Sequence, residues 1–300
     1  MNPGPTVVLA RATARLREAG VGSPQAEART LLLHASALSA TGLLVARELP
    51  ADVVARYEQL IDARCAGTPV QHLTGLVGFR AVVVAVGPGV FVPRPETELV
   101  AGAAIEAARA IERPLVVELC AGSGAISAAM IDEVPGVRLF AVESDEGALR
   151  WLRRNLAGTG ASVVHADMAD ALAELDGQVD VVVANPPYIS WAERDLLPAD
   201  VRDHDPPNAL FADEDGLAAI RVVIGVARRL LRPGGQLVVE HGDQQSPQVV
   251  EAASAAGFGM AASHRDLTGR ARYVTALAPG SPMQRLGGDR DVEPGRAANP

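Results

Sequence analysis

The stretch Val116-Val117-Glu118-Leu119-Cys120-Ala121-Gly122-Ser123-Gly124-Ala125 reads as the end of a buried strand, a turn of small residues and the start of a helix. A short apolar run that ends at a glycine turn fits a strand covered on both faces, as in a parallel sheet. In doubly wound sheets ligands bind at the carboxyl ends of the strands, where glycine lets the backbone come close. This segment therefore predicts an α/β fold; taken alone the turn reads as a tight βα turn without a ligand, and only acids at the following strand ends make it a ligand site.

Downstream of the turn, strand and helix alternate. Residues 115–119 form the first strand and 124–132 a helix; 137–142 is strand, 146–156 helix, and 162–165 and 179–184 are strands. Then come helix 216–231, strand 236–240, helix 247–256 and the extended pieces 258–264 and 271–277. This alternation predicts a mostly parallel sheet with helices on both faces. Upstream, residues 6–19, 25–38 and 51–66 repeat apolar side chains at helical spacing, and Ser23-Pro24 supplies a cap and a first-turn proline. Between the two regions, residues 79–86 and 90–92 read as a hairpin that turns at Gly87-Pro88-Gly89, stiffened afterwards by Pro93-Arg94-Pro95. The expected division is a helical domain at 1–75, a β-hairpin linker at 76–95 and an α/β domain at 96–278. The stretch 279–300 is rich in Gly, Pro, Arg and Asp, lacks periodicity, and is expected to be disordered.

Composition narrows the function. The chain has 300 residues, is 48% hydrophobic and only 3% aromatic, and all 27 of its basic residues are arginine, a bias better assigned to genome composition than to function. Its net charge of −9 counts against nucleic acid as the main partner. Cys65 and Cys120 make no disulfide framework, and no Cys/His cluster has metal-ligand spacing, so no metal is expected. No apolar run approaches a membrane span and no secretory leader is visible; the expected location is the cytoplasm.

Two sites stand out. At the first, Glu143 follows the glycine turn by about 19 residues, at the end of the next strand, where an acid holds ribose hydroxyls. It is expected to face the ligand, so that Glu143→Ala spares the fold. Asp167 ends the third strand and could accept from an adenine amino group, with Met168 counted beside it. A dinucleotide enzyme would carry a third glycine where Ser127 stands; its absence favours a nucleoside without phosphates, such as S-adenosylmethionine. Glu118, at a buried strand end, is divided between ligand contact and capping. Cys120 reads as packing, and His165 as a satisfied strand-end residue.

The second site is Asn185-Pro186-Pro187-Tyr188, directly after an apolar strand. Two prolines cannot donate to a sheet ladder, so the strand stops. The Asn185 side-chain oxygen and the Pro186 carbonyl then offer two convergent acceptors to a planar NH2 group. Holding both hydrogens turns the nitrogen lone pair toward an incoming methyl group, and Tyr188 covers the flat acceptor. The plainer alternative is a strand-ending turn with a packing aromatic.

At this point the chain resembles the bacterial protein-(glutamine-N5) methyltransferases that modify peptide chain release factors. The resemblance is carried by residues 69–75, by Phe91-Val92-Pro93-Arg94-Pro95-Glu96-Thr97-Glu98, and by the glycine turn and Asn185-Pro186-Pro187-Tyr188-Ile189. Residues 232–235, Glu240-His241-Gly242 and residues 265–272 complete it. The Asn-Pro-Pro-Tyr motif is shared with DNA adenine methyltransferases and names only the chemistry; its combination with the Pro-Arg-Pro-Glu-Thr-Glu segment is more specific. The resemblance implies a Rossmann-like, doubly wound sheet of seven strands with a terminal hairpin, preceded by a small all-α domain that grips the substrate. It implies methyl transfer from S-adenosylmethionine to the glutamine amide of the Gly-Gly-Gln motif in class-1 release factors, a step that regulates translation termination. Asn185, Pro186 and Tyr188 are then the catalytic group. Pro187 joins them in holding substrate, and Phe91, Arg94, Glu118, Cys120, Ala121, Gly122, Gly124, Glu143, Asp167, Met168 and Asn185 would meet the cofactor.

The chain departs from the family's Asp-Leu-Gly-x-Gly-x-Gly. Cβ atoms at Cys120 and Ala121 are expected to narrow the backbone's approach, and Glu143 stands where aspartate is usual. The rival readings are a nucleic-acid amino methyltransferase, which would need a base-flipping pocket and a basic groove, and a silent cofactor-binding scaffold.

Overall fold

Helical periodicity builds the N-terminal region of the computed structural model, which describes residues 2–213 and 215–280. Helix α1 (Pro5–Glu18) buries Val8, Ala12 and Leu16, one turn apart. These pack on α2 (Pro24–Ser36) and on Val53, Tyr57 and Ile61 of α4 (Ala51–Cys65). The buried Tyr57 hydroxyl donates to the Ala28 carbonyl at 3.0 Å, so this hydroxyl is not stranded in the core. Two short helices, α3 (Ala40–Val45) and α5 (Val70–Thr74), were not anticipated; at under two turns each they show no period to read.

The hairpin is real, but it turns elsewhere than the sequence suggested. Strand β1 (Leu76–Phe79) pairs antiparallel with β2 (Val82–Ala85). Arg80 makes the turn at φ 52°, and its guanidinium is held by Glu133 at 2.5 and 2.9 Å and by the Glu98 carbonyl at 3.0 Å. Residues 90–92 are not a strand. The glycines at 87–89 serve a different end, since a Cβ on Gly87 would lie 2.5 Å from the Trp151 ring.

After α6 (Thr97–Arg109) the alternating region follows: β3 (Leu115–Leu119), α7 (Ala125–Glu133), β4 (Arg138–Glu143), α8 (Glu146–Asn155), β5 (Ser162–His165) and β6 (Val179–Ala184). An excursion after β6 holds β7 (Ile189–Ser190), α9 (Ala199–His204), α10 (Pro207–Leu210) and β8 (Phe211–Ala212). The chain then completes α11 (Ala218–Leu230), β9 (Leu231–Glu240), α12 (Ser246–Ala255), β10 (Gly259–Arg265) and β11 (Ala271–Leu277). Seven strands make one sheet in the order β10-β11-β9-β6-β3-β4-β5. Strands β5, β4, β3, β6 and β9 are parallel, and β11 pairs antiparallel with both β9 and β10, which is the terminal hairpin the resemblance implied.

Alternate residues of the strands feed two cores. Val117, Leu119, Val182, Ala184, Leu237 and Val239 pack with α11 and α12, whereas Val116, Val181, Val183 and Val238 pack with α6 and α7. Both faces are covered, so the strands read as unbroken apolar runs. The chain moves outward from β3 to β5 and returns to β6 on the other side of β3, placing a topological switch point between β3 and β6. No helix among the described residues is long and apolar enough to cross a membrane. Residues 281–300, expected to be disordered, lie outside the described residues.

Candidate active site

The carboxyl ends of β3, β4 and β6 open on one cavity of about 340 Å³, within the range of small-molecule sites. The turn after β3 begins at Cys120, which carries φ 56° where a glycine would be free of strain. Its sulfur turns to within 3.6 Å of the Met168 sulfur, and burial pushes the thiol well up, so it packs rather than attacks. Ala121 and Gly122 line the cavity, and the space where Gly122 would carry a Cβ is open.

Gly124, expected among the cofactor contacts, does not line the cavity. It caps α7 at φ 80°, and a Cβ there would meet the Leu152 methyl at 2.6 Å, so the absent side chain serves the packing of α7 against α8. Glu118 is buried and lines the cavity while its carboxyl accepts from the Ser127 hydroxyl, so both readings left open by the sequence, ligand contact and capping, keep an observation beside them. Burial pushes it up to about 8, against the hydrogen bonds from Ser127.

Glu143 is more engaged than the sequence suggested. Gly122 N donates to one carboxylate oxygen at 2.7 Å, and Ser144 N and Asp145 N donate to the other at 2.8 Å each. The carboxylate therefore ties two strand ends together, and the expectation that Glu143→Ala spares the fold has to be corrected: it would take the acceptor away from three part-buried backbone donors. A carboxylate has about four lone-pair sites, which leaves one for a ligand. Asp167 accepts from Ala169 N at 2.9 Å and lines the cavity with Met168. His165 is satisfied by the Ser144 carbonyl at 3.1 Å.

Phe91 and Arg94 close another wall. The guanidinium lies 5.2 Å from the Phe91 ring centroid and donates to Asp205 at 2.5 Å. Arg94 is thus an ion-pair residue as well as a cavity residue, and its partner is buried in the excursion after β6. Val201, Pro206, Asn208 and Leu210 of that excursion also line the cavity, and Asn208 donates to Asp145 at 2.8 Å across its mouth. Sequence reading missed this cover, because its short turns carry no period.

Asn185, Pro186, Pro187 and Tyr188 line the far side. The Asn185 amide donates to the Thr97 hydroxyl at 3.2 Å, and Thr97 donates to Glu240 at 2.8 Å. The Tyr188 hydroxyl donates to the other Glu240 oxygen at 3.2 Å. Burial pushes Glu240 up to about 7, opposed by Thr97, by Arg272 and by Tyr188. Gln245 holds the Tyr188 carbonyl at 2.9 Å and accepts from Gly242 N at 2.8 Å. Among the described residues, neither the Asn185 side-chain oxygen nor the Pro186 carbonyl accepts a hydrogen bond. Two acceptors are left free at the cavity wall. Glu240 has a role here that the sequence alone leaves unassigned; the lone acid ending the apolar run 237–239 is the signal for it.

Comparison with known proteins agrees with this architecture. Residues 8–75 match the PrmC N-terminal domain and residues 94–197 match the methyltransferase small domain. A release factor glutamine methyltransferase of Streptomyces coelicolor is 47% identical over 271 residues, covering 89% of this chain and 96% of that protein. The Mycobacterium tuberculosis H37Rv protein of the same name is 43% identical over 275 residues, covering 89% of each chain. A 4-amino-L-phenylalanine/4-methylamino-L-phenylalanine methyltransferase of Streptomyces pristinaespiralis is 40% identical over 262 residues, 86% of this chain and 89% of that one. On identity, coverage and domain content together, this chain belongs to the release factor glutamine methyltransferase family.

Proposed function

We propose that the chain transfers a methyl group from S-adenosylmethionine to the side-chain amide nitrogen of the glutamine in the Gly-Gly-Gln motif of class-1 release factors. The observation that carries this reading is the pair of free acceptors on Asn185 and Pro186, two residues that line the same cavity as the glycine turn. The cavity suits a nucleoside: Gly122 leaves open space, Glu143 keeps one lone-pair site for a ribose hydroxyl, and Asp167 stands at the next strand end. When bound there, the cofactor supplies a methyl group on a positively charged sulfur.

The chain's own residues do the rest. An amide nitrogen is a poor nucleophile because its lone pair is delocalised into the carbonyl. The Asn185 oxygen and the Pro186 carbonyl each take one of its two hydrogens, which holds the nitrogen in place and resists rotation away from the methyl group. Held in this way, the nitrogen would present its lone pair to the methyl group that the bound cofactor would supply, and the proton it gives up on methylation would pass to water. Tyr188, on the same cavity wall, is assigned to packing against the amide. The helical domain at 1–75 is assigned to gripping the release factor, and we assign the chain to the cytoplasm with its substrate.

The relative that acts on 4-amino-L-phenylalanine fits the same chemistry, since its named substrate carries an amino group on an aromatic ring. The net charge of −9 keeps nucleic acid as the rival. Fragment mass spectrometry of a release factor incubated with the protein and S-adenosylmethionine tests the reading. The expected result is one added methyl group on the Gly-Gly-Gln glutamine; label appearing in an adenine of nucleic acid, with the glutamine unmodified, would transfer the assignment to the rival.

A further inference from the structure

The geometry points to Glu240 and Thr97 as positioning residues that set which end of the Asn185 amide faces the acceptor nitrogen. This rests on the function proposed above and adds a layer behind it. An asparagine side chain can present its oxygen or its NH2, and the two ends are nearly the same shape; only the hydrogen-bond partners decide between them. Methyl transfer needs the oxygen outward, because an NH2 would meet the substrate NH2 donor to donor.

The proton inventory fixes the choice. Thr97 has one hydroxyl proton, and it is donated to the Glu240 carboxylate at 2.8 Å. An ionised carboxylate only accepts, and its second oxygen already takes the Tyr188 hydroxyl at 3.2 Å. Thr97 is left with lone pairs alone to offer Asn185, so it must accept, and the amide must give it the NH2 at 3.2 Å. The Asn185 oxygen then points away, into the cavity. Thr97 and Glu240 are 4% and 2% exposed, so water does not compete for these bonds. One carboxylate thus sets both the orientation of Asn185 and the seat of Tyr188, from the end of the neighbouring strand β9.

The arrangement depends on Glu240 being ionised. If it is protonated, it can donate to Thr97, Thr97 can turn its own proton onto the Asn185 oxygen, and the acceptor is lost. The groups facing Glu240 are Thr97 and Glu96 at the start of α6, Tyr188 after β6 and Arg272 on β11, itself bonded to Asp266 at 3.1 Å. Burial pushes Glu240 up to about 7 in their company. Turnover should therefore rise with pH through about 7.

The test has one arm that needs no substrate. In nitrogen–proton NMR spectra of the full-length protein, the Asn185 side-chain NH2, assigned by its loss in Asn185→Ala, should exchange slowly and respond to pH near 7. In Thr97→Val, which removes the hydroxyl at nearly constant shape, it should exchange faster; in Glu240→Gln its pH response should vanish. The second arm is methylation of a release factor. Thr97→Val should lower kcat about tenfold, with KM for the release factor and Kd for S-adenosylmethionine within about twofold of wild type. Thr97→Ser should restore most of the rate, and Glu240→Gln should flatten the pH profile. An Asn185 NH2 signal unmoved in Thr97→Val and Glu240→Gln overturns the inference, as does a wild-type kcat and pH profile in both variants. If the NMR arm behaves as expected while wild type leaves the release factor unmodified, the orientation relay stands and the substrate reading fails.

Discussion

The Arg94 guanidinium meets the Asp205 carboxylate at 2.5 Å across 111 residues of sequence. The contact fastens the segment that leads into α6 to the excursion that covers the cavity. Asp205 also accepts from Val92 N at 3.3 Å and its side chain is fully buried, while 29% of Arg94 is exposed. Burial pushes Asp205 up, and Arg94 opposes that push. Arg94→Met would leave a buried carboxylate without its cation, at a cost of about 2–4 kcal/mol. Asp205→Asn should cost less, since a neutral amide still accepts from Val92 and Arg94. Urea unfolding at pH 7 checks the order; equal losses, or a smaller loss for Arg94→Met, would show that the pair carries little of the cover's stability. The deficit of Arg94→Met should also shrink as pH falls and the stranded carboxyl takes a proton.

Glu143 gives a second prediction. Its carboxylate receives Gly122, Ser144 and Asp145 N–H groups, so Glu143→Ala should lower thermal stability as well as cofactor affinity. The cavity lets water reach these donors, which limits the loss to about 2 kcal/mol rather than the sum of three buried orphans. S-adenosylmethionine at a hundredfold excess over its dissociation constant should stabilise wild type by about 2.7 kcal/mol, and the variant less at the same concentration. A variant that melts like wild type would mean that the three bonds carry no net weight.

What could be read without a structure, and what could not, divides along the range of the interactions. The strands at 115–119, 162–165, 179–184 and 271–277 and the glycine turn were legible because local apolar runs and turn chemistry specify them. The hairpin turn was misplaced because Arg80 holds a left-handed φ that Gly87-Pro88-Gly89 advertise better; distant Glu133 supplies the reason. Gly124 was assigned to a ligand although it answers to Leu152, a packing demand visible only in three dimensions. The chain from Asn185 through Thr97 to Glu240 joins residues 88 and 143 positions apart, and no local pattern can announce it.

Glu118 sets an acid-to-base trend in stability. Burial pushes it up to about 8 from an ordinary value of 4.5, so between those limits the folded chain keeps a proton that the unfolded chain releases. Stability contributed by this group is therefore full below about pH 4.5 and declines as pH rises toward 8. Glu240, pushed up to about 7, acts in the same direction. Glu118→Gln keeps an acceptor for Ser127 and removes the titration. It should match wild type near pH 5 and exceed it near pH 8, with the slope reduced but not abolished while Glu240 remains. Denaturant titrations at the two pH values decide this; parallel curves for the two proteins would show that Glu118 does not hold a proton in the folded state.

The last prediction concerns the free acceptors themselves. Asn185→Ala deletes one of them and leaves the Pro186 carbonyl to hold a single hydrogen of the acceptor nitrogen. The substrate amide can then rotate about that one bond, and its lone pair spends most of the time turned away from the methyl group. Because the lost bond matters most when the nitrogen is aligned for attack, the effect should fall on kcat, by two orders of magnitude or about 2.7 kcal/mol, with the Kd for S-adenosylmethionine changed little. Asn185 does touch the cavity and bonds to Thr97, so a modest loss of thermal stability should accompany it. Whole release factor should outperform a short Gly-Gly-Gln peptide with wild type, and by the same ratio with the variant, because the helical domain is assigned to surfaces away from the glutamine. Single-turnover methylation of both substrates by both proteins separates these terms. A variant with wild-type kcat and a raised KM would mean that Asn185 merely helps to bind the substrate, and the alignment of the amide would then have to come from Pro186 and Tyr188.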